Sequence, residues 1–301
     1  MIVSASFRTD VPAYYGRWFM ARLDAGFARV ANPYGGAEYT VSLAPEDVDG
    51  FVFWTRNAAP FADALAEVRR RGFAFVVQHT VTGYPRAVEP AAPEAARAVE
   101  RMRALARTYG GRAVVWRYDP ILDSTLTPPD WHEVNFARLA ASLAGAVDEV
   151  VVSFVQAYRK TARNLDEAAR RHGFAWRDPP AEEKRALIAR LACIAAGHAM
   201  RLSICAQPDL VVPGTQGAAC VDAARLSDVA GRAIAAKRKG NRPGCLCHES
   251  RDIGAYDTCA MGCAYCYAVS SPAAAQRRLA AHDPEADSLS ALRRRAPAAA
   301  R

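Results

Sequence analysis

The chain has 301 residues, of which 51% are hydrophobic and 23% charged, a composition typical of a folded globular protein. No run of about 18 apolar residues occurs, so a transmembrane helix is not expected. The N-terminal segment MIVSASFRTD lacks the basic region and cleavage site of a signal peptide, so we expect a cytoplasmic protein with reduced thiols. Eight cysteines in that compartment predict metal ligation or catalysis rather than disulfides.

The net charge of +8 is concentrated towards the C-terminus. The run KRKGNR at residues 237–242 holds four basic residues, and residues 271–301 hold six arginines against three acidic residues. A basic strip of this kind can bind nucleic acid, but it is more often a solvated tail.

Short apolar runs rich in Val, Ile, Phe and Trp alternate with amphipathic stretches over the first two hundred residues. The runs predict strands at Ile2–Phe7, Phe27–Val30, Gly50–Trp54, Phe73–Gln78, Ala113–Arg117, Glu149–Phe154 and Met200–Cys205. The amphipathic stretches predict helices at Pro60–Arg71, Pro93–Tyr109, Trp131–Leu143 and Ala181–Ala196. This alternation predicts a parallel sheet, and seven to eight repeats favour a (β/α)8-type, TIM-like barrel; an open doubly wound sheet is the alternative.

The pattern changes near Cys220. Val221–Lys237 is compatible with one helix, whereas Asn241–Ala268 has no helical or strand period and is rich in Gly and Cys. A loop of this length needs something to order it, and metal coordination would do so. The sequence therefore predicts three regions: a barrel over 1–224, a cysteine-rich cluster-binding segment on the barrel mouth over 225–270, and a basic, flexible tail over 271–301.

The most informative motif is DTCAMGCAYCYA, which contains the cysteine triplet: Cys259, Cys263 and Cys266 in the spacing Cys-x3-Cys-x2-Cys. Three thiolates this close can hold three irons of a cubane [4Fe-4S] cluster and leave the fourth iron open. The spacing resembles that of radical S-adenosylmethionine enzymes, whose open iron binds S-adenosylmethionine and whose residue before the third cysteine packs beside adenine. That resemblance implies cofactor-binding roles for Tyr265 and Tyr267. A zinc site is the alternative.

Four further thiols form the cysteine quartet: Cys205, Cys220, Cys245 and Cys247. Cys205 ends a predicted strand, Cys220 follows a Gly-rich loop, and Cys245 and Cys247 flank one residue in GCLC. Four thiolates can complete a second iron–sulfur cluster or a structural zinc site. Cys205 as a plain core thiol is the alternative. The eighth cysteine, Cys193, lies in an apolar helix and is predicted to pack in the core.

Polar residues directly follow several predicted strands. In a β/α barrel the carboxyl ends of the strands meet at one mouth, which is where active sites lie. Arginines beside acids and a histidine suit a small polar, anionic substrate or the carboxylate of a cofactor. The predicted catalytic residues are Arg8, Asp10, Arg56, His79, Arg117 and Asp119. For Arg117 with Asp119, and for Arg8 with Asp10, a structural ion pair is the alternative.

The segments SASFRTD, FWTRN, WRYDP and SFVQAYRKT, together with GCLCHESRDIGAYDTCAMGCAYCYA, resemble a bacterial family catalogued as a domain of unknown function. The C-terminus of that family has a cysteine cluster similar to that of radical S-adenosylmethionine proteins. The resemblance covers residues 1 to about 268 and implies an iron–sulfur protein on a barrel-like fold. In ordinary radical enzymes the triplet follows the first strand; here it follows the last, so the segment must fold back over the mouth.

The combined prediction is a radical S-adenosylmethionine-type enzyme that acts on a small molecule and receives electrons from a reductant such as flavodoxin or ferredoxin. An iron–sulfur barrel enzyme or electron-transfer protein without S-adenosylmethionine is one alternative. A zinc-stabilised protein that binds nucleic acid through its basic segments is the other.

Overall fold

The computed structural model describes residues 1–32, 35 and 37–291. The strands are β1 (Ile2–Ala5), β2 (Phe27–Val30), β3 (Tyr39–Ser42), β4 (Gly50–Thr55), β5 (Ala74–Thr80), β6 (Val114–Ile121), β7 (Asp123–Ser124), β8 (Glu149–Phe154), β9 (Trp176–Arg177), β10 (Arg201–Ile204), β11 (Gln216–Gly217) and β12 (Ser250–Asp252). The helices are α1 (Val11–Tyr14), α2 (Gly16–Ala25), α3 (Ala62–Arg70), α4 (Ala95–Tyr109), α5 (Pro129–Leu143), α6 (Arg159–His172), α7 (Ala181–Gly197), α8 (Ala223–Ala230) and α9 (Pro272–Ala281).

Eight strands form one sheet in the order β11-β10-β8-β6-β5-β4-β1-β12, and every pair in it is parallel. From β1 to β11 the chain adds each strand on the same side of the previous one, and β12 then pairs with the free side of β1. A doubly wound sheet reverses its direction of growth at β1. In this sheet one strand, β12, lies alone on the other side of β1.

The two outer strands, β11 and β12, share no ladder in the part of the chain that the structure describes, so the closed barrel of the prediction is not shown. Strand β11 has two residues and pairs only with β10, and strand β12 has three residues and pairs only with β1, in the part of the chain that the structure describes. Loops approach each other across this gap instead: the His248 amide donates to the Val221 carbonyl at 2.9 Å. The protein therefore has an α/β fold with a large parallel sheet flanked by helices.

The two faces of the sheet bury different side chains. Phe51, Phe53 and Trp116 point to the face covered by helices such as α2 and α5, and each is fully buried. Residues one position away in the strands, such as Val52 and Val115, point to the opposite face, where α8 packs. Alternation along each strand produces this division, and burial of each large side chain contributes about 1.5–3 kcal/mol.

Strand β12 comes from the segment predicted to be cluster-binding, so that segment contributes to the main sheet. Its fit beside β1 requires a glycine, since a Cβ on Gly254 would lie 1.8 Å from the Ser6 hydroxyl. This close approach places residues 253–268 along the carboxyl edge of β1.

All seven predicted strands are present, six of them in the main sheet; β2 instead forms an antiparallel pair with β3. The four predicted helices are also confirmed, whereas Val221–Lys237 is helical only over α8. Cys193 is exposed on α7, so the prediction that it packs in the core is wrong. Within the predicted tail, α9 is helical, and residues 292–301 lie outside the described residues. No helix of the described chain is both long and apolar enough to cross a membrane.

Candidate functional site

The cysteine triplet lies on a loop that packs against the segment following β1. The Thr9 and Thr258 hydroxyls are 2.6 Å apart, and the Tyr15 hydroxyl donates to the Thr258 carbonyl at 2.7 Å. Because β12 pairs with β1, a triplet that is last in the sequence lies beside the first strand. The segment thus folds back over the carboxyl edge of the sheet, as the sequence analysis requires.

The loop turns sharply at the triplet. Gly262 has a φ of +75°, a left-handed conformation that favours glycine, and a Cβ there would lie 3.1 Å from Pro90. The Ala264 amide then donates to the Val88 carbonyl at 2.9 Å, which ties the loop to the segment after β5. These contacts place Cys263 in a buried position between the two segments.

The three triplet thiols are free of disulfides; Cys263 is buried, and Cys259 and Cys266 are partly buried. Burial raises the pKa of each of them, to about 12 for Cys263. For Cys259 and Cys263 the neighbouring triplet thiols reinforce the shift. Backbone hydrogen bonds from Met261 to Cys259, and from Ala268 to Cys266, act in the opposite direction. Metal ligation of these sulfurs would therefore have to displace protons.

A buried ionic network lies next to Cys263. The Arg56 guanidinium is 2.9 Å from the Glu89 carboxylate, which also accepts from the Thr82 hydroxyl at 2.7 Å. The Tyr265 hydroxyl bonds to both Glu89 and Arg56. The network holds Tyr265, and with it the chain between Cys263 and Cys266, in one conformation.

Asp10 lies on the same side, where its carboxylate accepts from the Arg56 amide at 2.8 Å and from the Ala13 amide at 3.0 Å. Burial raises the pKa of Asp10 to about 6, although these two hydrogen bonds oppose the shift. Its charge also acts on Cys259 and Cys263. Asp10 therefore belongs to the surroundings of the triplet.

The cysteine quartet forms a second group at the same edge of the sheet. The sulfurs of Cys205 and Cys220 are 3.6 Å apart, Cys220 also hydrogen-bonds to Cys247, and Cys247 to Cys245. The Val221 amide donates to the Cys247 sulfur at 3.3 Å. Four thiols from the end of β10, the loop after β11 and the loop before β12 are thus in continuous contact.

Arg117 lies against this quartet. Its guanidinium donates to the Cys220 sulfur at 2.9 Å and to the Gln78 amide oxygen at 3.2 Å, and it forms an ion pair with Asp119. Asp119 in turn accepts from the Ser153 hydroxyl. The ion-pair interpretation of Arg117 with Asp119 is therefore confirmed.

The quartet thiols differ in acidity. The hydrogen bond from Cys247 lowers the pKa of Cys245 to about 6, against the opposing effect of burial. The Cys220 thiol has its pKa raised to about 11: its contact with Cys205 lowers the value, and its contact with Cys247 and burial outweigh that effect. One thiol of the four is thus poised to ionise near neutral pH.

Arg8 does not pair with Asp10, so that alternative is wrong. Its guanidinium lies 3.4 Å from the Asp252 carboxylate, at the end of the neighbouring strand β12. His79 is fully buried, and by strand alternation it shares the helix-covered face with Phe75. Of the predicted catalytic residues, Asp10 and Arg56 lie near the triplet, and Arg117 and Asp119 lie near the quartet.

The two predicted cofactor-binding tyrosines differ in exposure. Tyr265 is buried within the Arg56–Glu89 network, whereas the Tyr267 side chain is 43% exposed and its hydroxyl donates to the Phe7 carbonyl. Only Tyr267 presents its ring to solvent.

Sequence reasoning missed several residues of this region: Thr82, Glu89, Lys160, Arg242, Asp252 and Tyr256. Glu89 and Asp252 are the counter-charges of two predicted arginines. Glu89 lies in no motif, and Asp252 lies in the long C-terminal segment but follows no strand predicted from the sequence. Arg242 was visible only as part of a basic run. Buried arginines such as Arg8 and Arg56 need acidic partners, and this need is the signal that points to Glu89 and Asp252.

The donor chemistry of both groups can be compared with known centres. Among the described residues, no three Cys, His, Asp or Glu side chains converge on one point as the ligands of a single metal ion do. A cubane cluster does not require this, because each cysteine binds a different iron. For the quartet, two sulfurs on one tetrahedral zinc lie about 3.8 Å apart, close to the 3.6 Å between Cys205 and Cys220. One pair of quartet sulfurs thus has the spacing of a tetrahedral thiolate site, although the four side chains do not converge on one point in the described part of the chain.

Comparison with known families gives one match: the model described as Domain of unknown function (DUF1848) matches residues 2–268. The matched region ends two residues after the triplet, so it includes both cysteine groups and stops before α9. Neither the curated proteins nor the solved structures yield a match to the chain. The chain belongs to the DUF1848 family.

Proposed function

We propose that this protein is an iron–sulfur enzyme of the radical S-adenosylmethionine type. In this proposal Cys259, Cys263 and Cys266 hold a [4Fe-4S] cluster with one iron open to S-adenosylmethionine. The quartet holds a second centre, either iron–sulfur or zinc. The observation that carries the proposal is the grouping of seven disulfide-free cysteines into a triplet and a quartet at one edge of a parallel sheet.

The location supports a catalytic role. Ligands of parallel α/β sheets bind outside the carboxyl ends of the strands. The triplet beside β1 is partly shielded from water, with Cys263 buried, and such shielding protects a reactive centre. The Arg56–Glu89–Tyr265 network fixes the loop between two triplet cysteines and acts as a positioning element.

A cluster of this type supplies the electron that cleaves the sulfonium S–C bond of S-adenosylmethionine. The chain has three tasks around that chemistry: to hold the triplet rigid, to shield it from solvent, and to orient a substrate at the mouth. Arg56 and Glu89 serve the first task, and the packing of the loop against Pro90 and Val88 serves the second.

The test is anaerobic purification followed by iron, sulfide and zinc analysis. A brown protein that absorbs near 400 nm, with about four irons per cluster, is the expected result. Reduction with S-adenosylmethionine present should then produce 5′-deoxyadenosine. Cys193→Ala is the matched control, because this exposed cysteine lies outside both groups and its loss should leave iron and product unchanged.

Other outcomes assign other functions. Iron and sulfide without 5′-deoxyadenosine would favour an electron-transfer protein or a non-radical enzyme. A colourless protein that contains only zinc would overturn the proposal, and a salt-dependent shift of DNA or RNA would then be the next measurement.

A further inference from the structure

The cations near the two cysteine groups differ in how far they are neutralised. Arg8 and Arg56 each face a carboxylate, at 3.4 Å and 2.9 Å, and Arg117 faces Asp119. A guanidinium paired in this way has little remaining attraction for an anionic ligand. The arginines predicted to bind substrate are therefore already occupied.

Two half-buried cations at the same edge are not neutralised. Lys160 and Arg242 have no carboxylate partner in the described chain. Arg242 donates to the Gln156 side-chain oxygen at 3.0 Å, and its guanidinium lies 3.8 Å from the Cys205 sulfur. The Lys160 ammonium lies 5.6 Å from the ring centre of Tyr256. Their positive charges therefore remain available.

These cations lie between the triplet and the quartet, at the carboxyl edge of the sheet. Lys160 acts electrostatically on Cys266, and Arg242 contacts Cys205. Tyr256, which follows β12, contacts both Lys160 after β8 and Arg8 after β1, so these residues lie along the same edge. Asp252, at the end of β12, is already paired with Arg8.

The N-terminus of α6 adds to the positive potential. Its first turn contains no acidic residue, and the side chain of Tyr158 at the N-cap accepts no hydrogen bond from the helix. The first amide of the helix to bond within it is that of Ala162, which donates to the Tyr158 carbonyl. The preceding amides and the helix dipole favour an anion at this end. Arg242 lies 3.5 Å from the Tyr158 hydroxyl, at the same helix end.

We infer that Lys160, Arg242 and the N-terminus of α6 bind the anionic group, a carboxylate or a phosphate, of the small-molecule substrate. The exposed Tyr256 and Tyr267 rings lie at this edge and offer apolar surface to the rest of the substrate. Identification of the ligand as substrate rests on the proposed function; the anion site itself does not.

The test is calorimetric titration of the anaerobically purified protein with inorganic phosphate and with malonate, at constant ionic strength. The test variant is Lys160→Met combined with Arg242→Met. The control is Lys239→Met, which removes a cation from the same loop that is already paired with Glu249 at 2.8 Å. We expect one of the anions to bind the wild type, the double variant to bind it about tenfold or more weakly, and the control to differ by less than about twofold.

Absence of binding of both anions to the wild type would overturn the inference, as would equal weakening in the control. Circular dichroism checks that the double variant is folded, and Lys160→Met alone replaces it if it is not. Saturation with S-adenosylmethionine should leave anion affinity unchanged; displacement of the anion would assign the site to the cofactor and overturn its assignment to substrate.

Iron analysis of the same samples separates this inference from the proposed function. Protein without iron that still binds the anion would refute the enzyme proposal and retain the anion site. Protein that contains its clusters but binds neither anion would retain the enzyme proposal and refute the anion site.

Discussion

The cysteine triplet and the cysteine quartet lie at the same edge of the sheet but are built in different ways. The triplet comes from eight consecutive residues on one loop, next to the buried Arg56–Glu89 pair. The quartet draws its sulfurs from the end of β10 and from the loops that follow β11 and precede β12. One group depends on a local turn, and the other depends on the tertiary fold.

This difference suggests different roles for the two groups, one in the reaction and one in holding the fold together. The quartet lies where β11 and β12 fail to pair, and Cys247 accepts a hydrogen bond from the Val221 amide across that gap. A metal there would link the two ends of the sheet and stabilise the fold. A cluster at the triplet would order one loop only. We therefore expect loss of the quartet to affect stability and loss of the triplet to affect activity.

The largest expected effect comes from Cys247→Ser. This variant should lower the free energy of unfolding by about 3–5 kcal/mol, because the metal that we propose for the quartet would no longer be held there. Cys263→Ser should instead remove the triplet iron and all S-adenosylmethionine cleavage, with a loss of stability below about 2 kcal/mol. Chemical denaturation and metal analysis of both variants check this. Equal destabilisation by the two would show that the quartet has no special structural role.

A smaller effect is expected from Arg117→Met, beside the quartet. Removal of one partner from a buried ion pair leaves Asp119 without its counter-charge and should cost about 3–4 kcal/mol. Arg190→Met is the matched control, since its pair with Glu133 is solvent-exposed and contributes less than about 1 kcal/mol. A stable Arg117→Met protein with weak turnover would instead support the sequence-based role in substrate binding.

The sequence predicted the strands of the sheet centre well because parallel strands buried on both faces are continuous apolar runs. Glu149–Phe154 has the same limits in the prediction and in β8. The strand Ser250–Asp252 was missed because its three polar residues contain no such run; it exists through its pairing with β1. The sequence also does not indicate how short the edge strands β11 and β12 are. A closed barrel was therefore predicted, although the structure does not show one among the residues it describes.

For the site, the two cysteine groups could be predicted because the spacing of their cysteines can be read directly from the sequence. The partners of the arginines could not, because Glu89 reaches Arg56 only through the path of the loop after β5. The arginines were therefore predicted as substrate ligands, whereas the structure pairs Arg8, Arg56 and Arg117 each with a carboxylate. Lys160 and Arg242 have no carboxylate partner among the described residues. Charge balance is a tertiary property, so residue type alone could not reveal it.

The smallest expected effect is on the pH dependence of stability, and it involves His79, which lies near Arg56 and the triplet. Burial lowers the pKa of His79 to about 4, with Arg56 adding to the shift; the Thr80 backbone lies near the ring, but neither ring nitrogen has a hydrogen bond of normal geometry. The unfolded chain, with a pKa near 6.5, binds a proton that the folded protein does not. Stability is therefore complete above about pH 6.5 and falls by up to about 3 kcal/mol as the pH drops towards 4.

His79→Leu should remove this loss and leave stability at pH 7.5 within about 1 kcal/mol, since no hydrogen bond is broken. His132 is the informative control: burial also lowers its pKa to about 4, but its ring bonds to the Tyr118 hydroxyl at 2.8 Å and the Leu122 carbonyl at 3.0 Å. His132→Leu should lose those bonds and cost about 1–3 kcal/mol at pH 7.5. Denaturant titrations between pH 4 and 7.5 measure both. If stability depends on pH in the same way in His79→Leu as in the wild type, the His79 imidazole is protonated in the folded protein. A nearby anion other than Glu89 would then have to stabilise that charge.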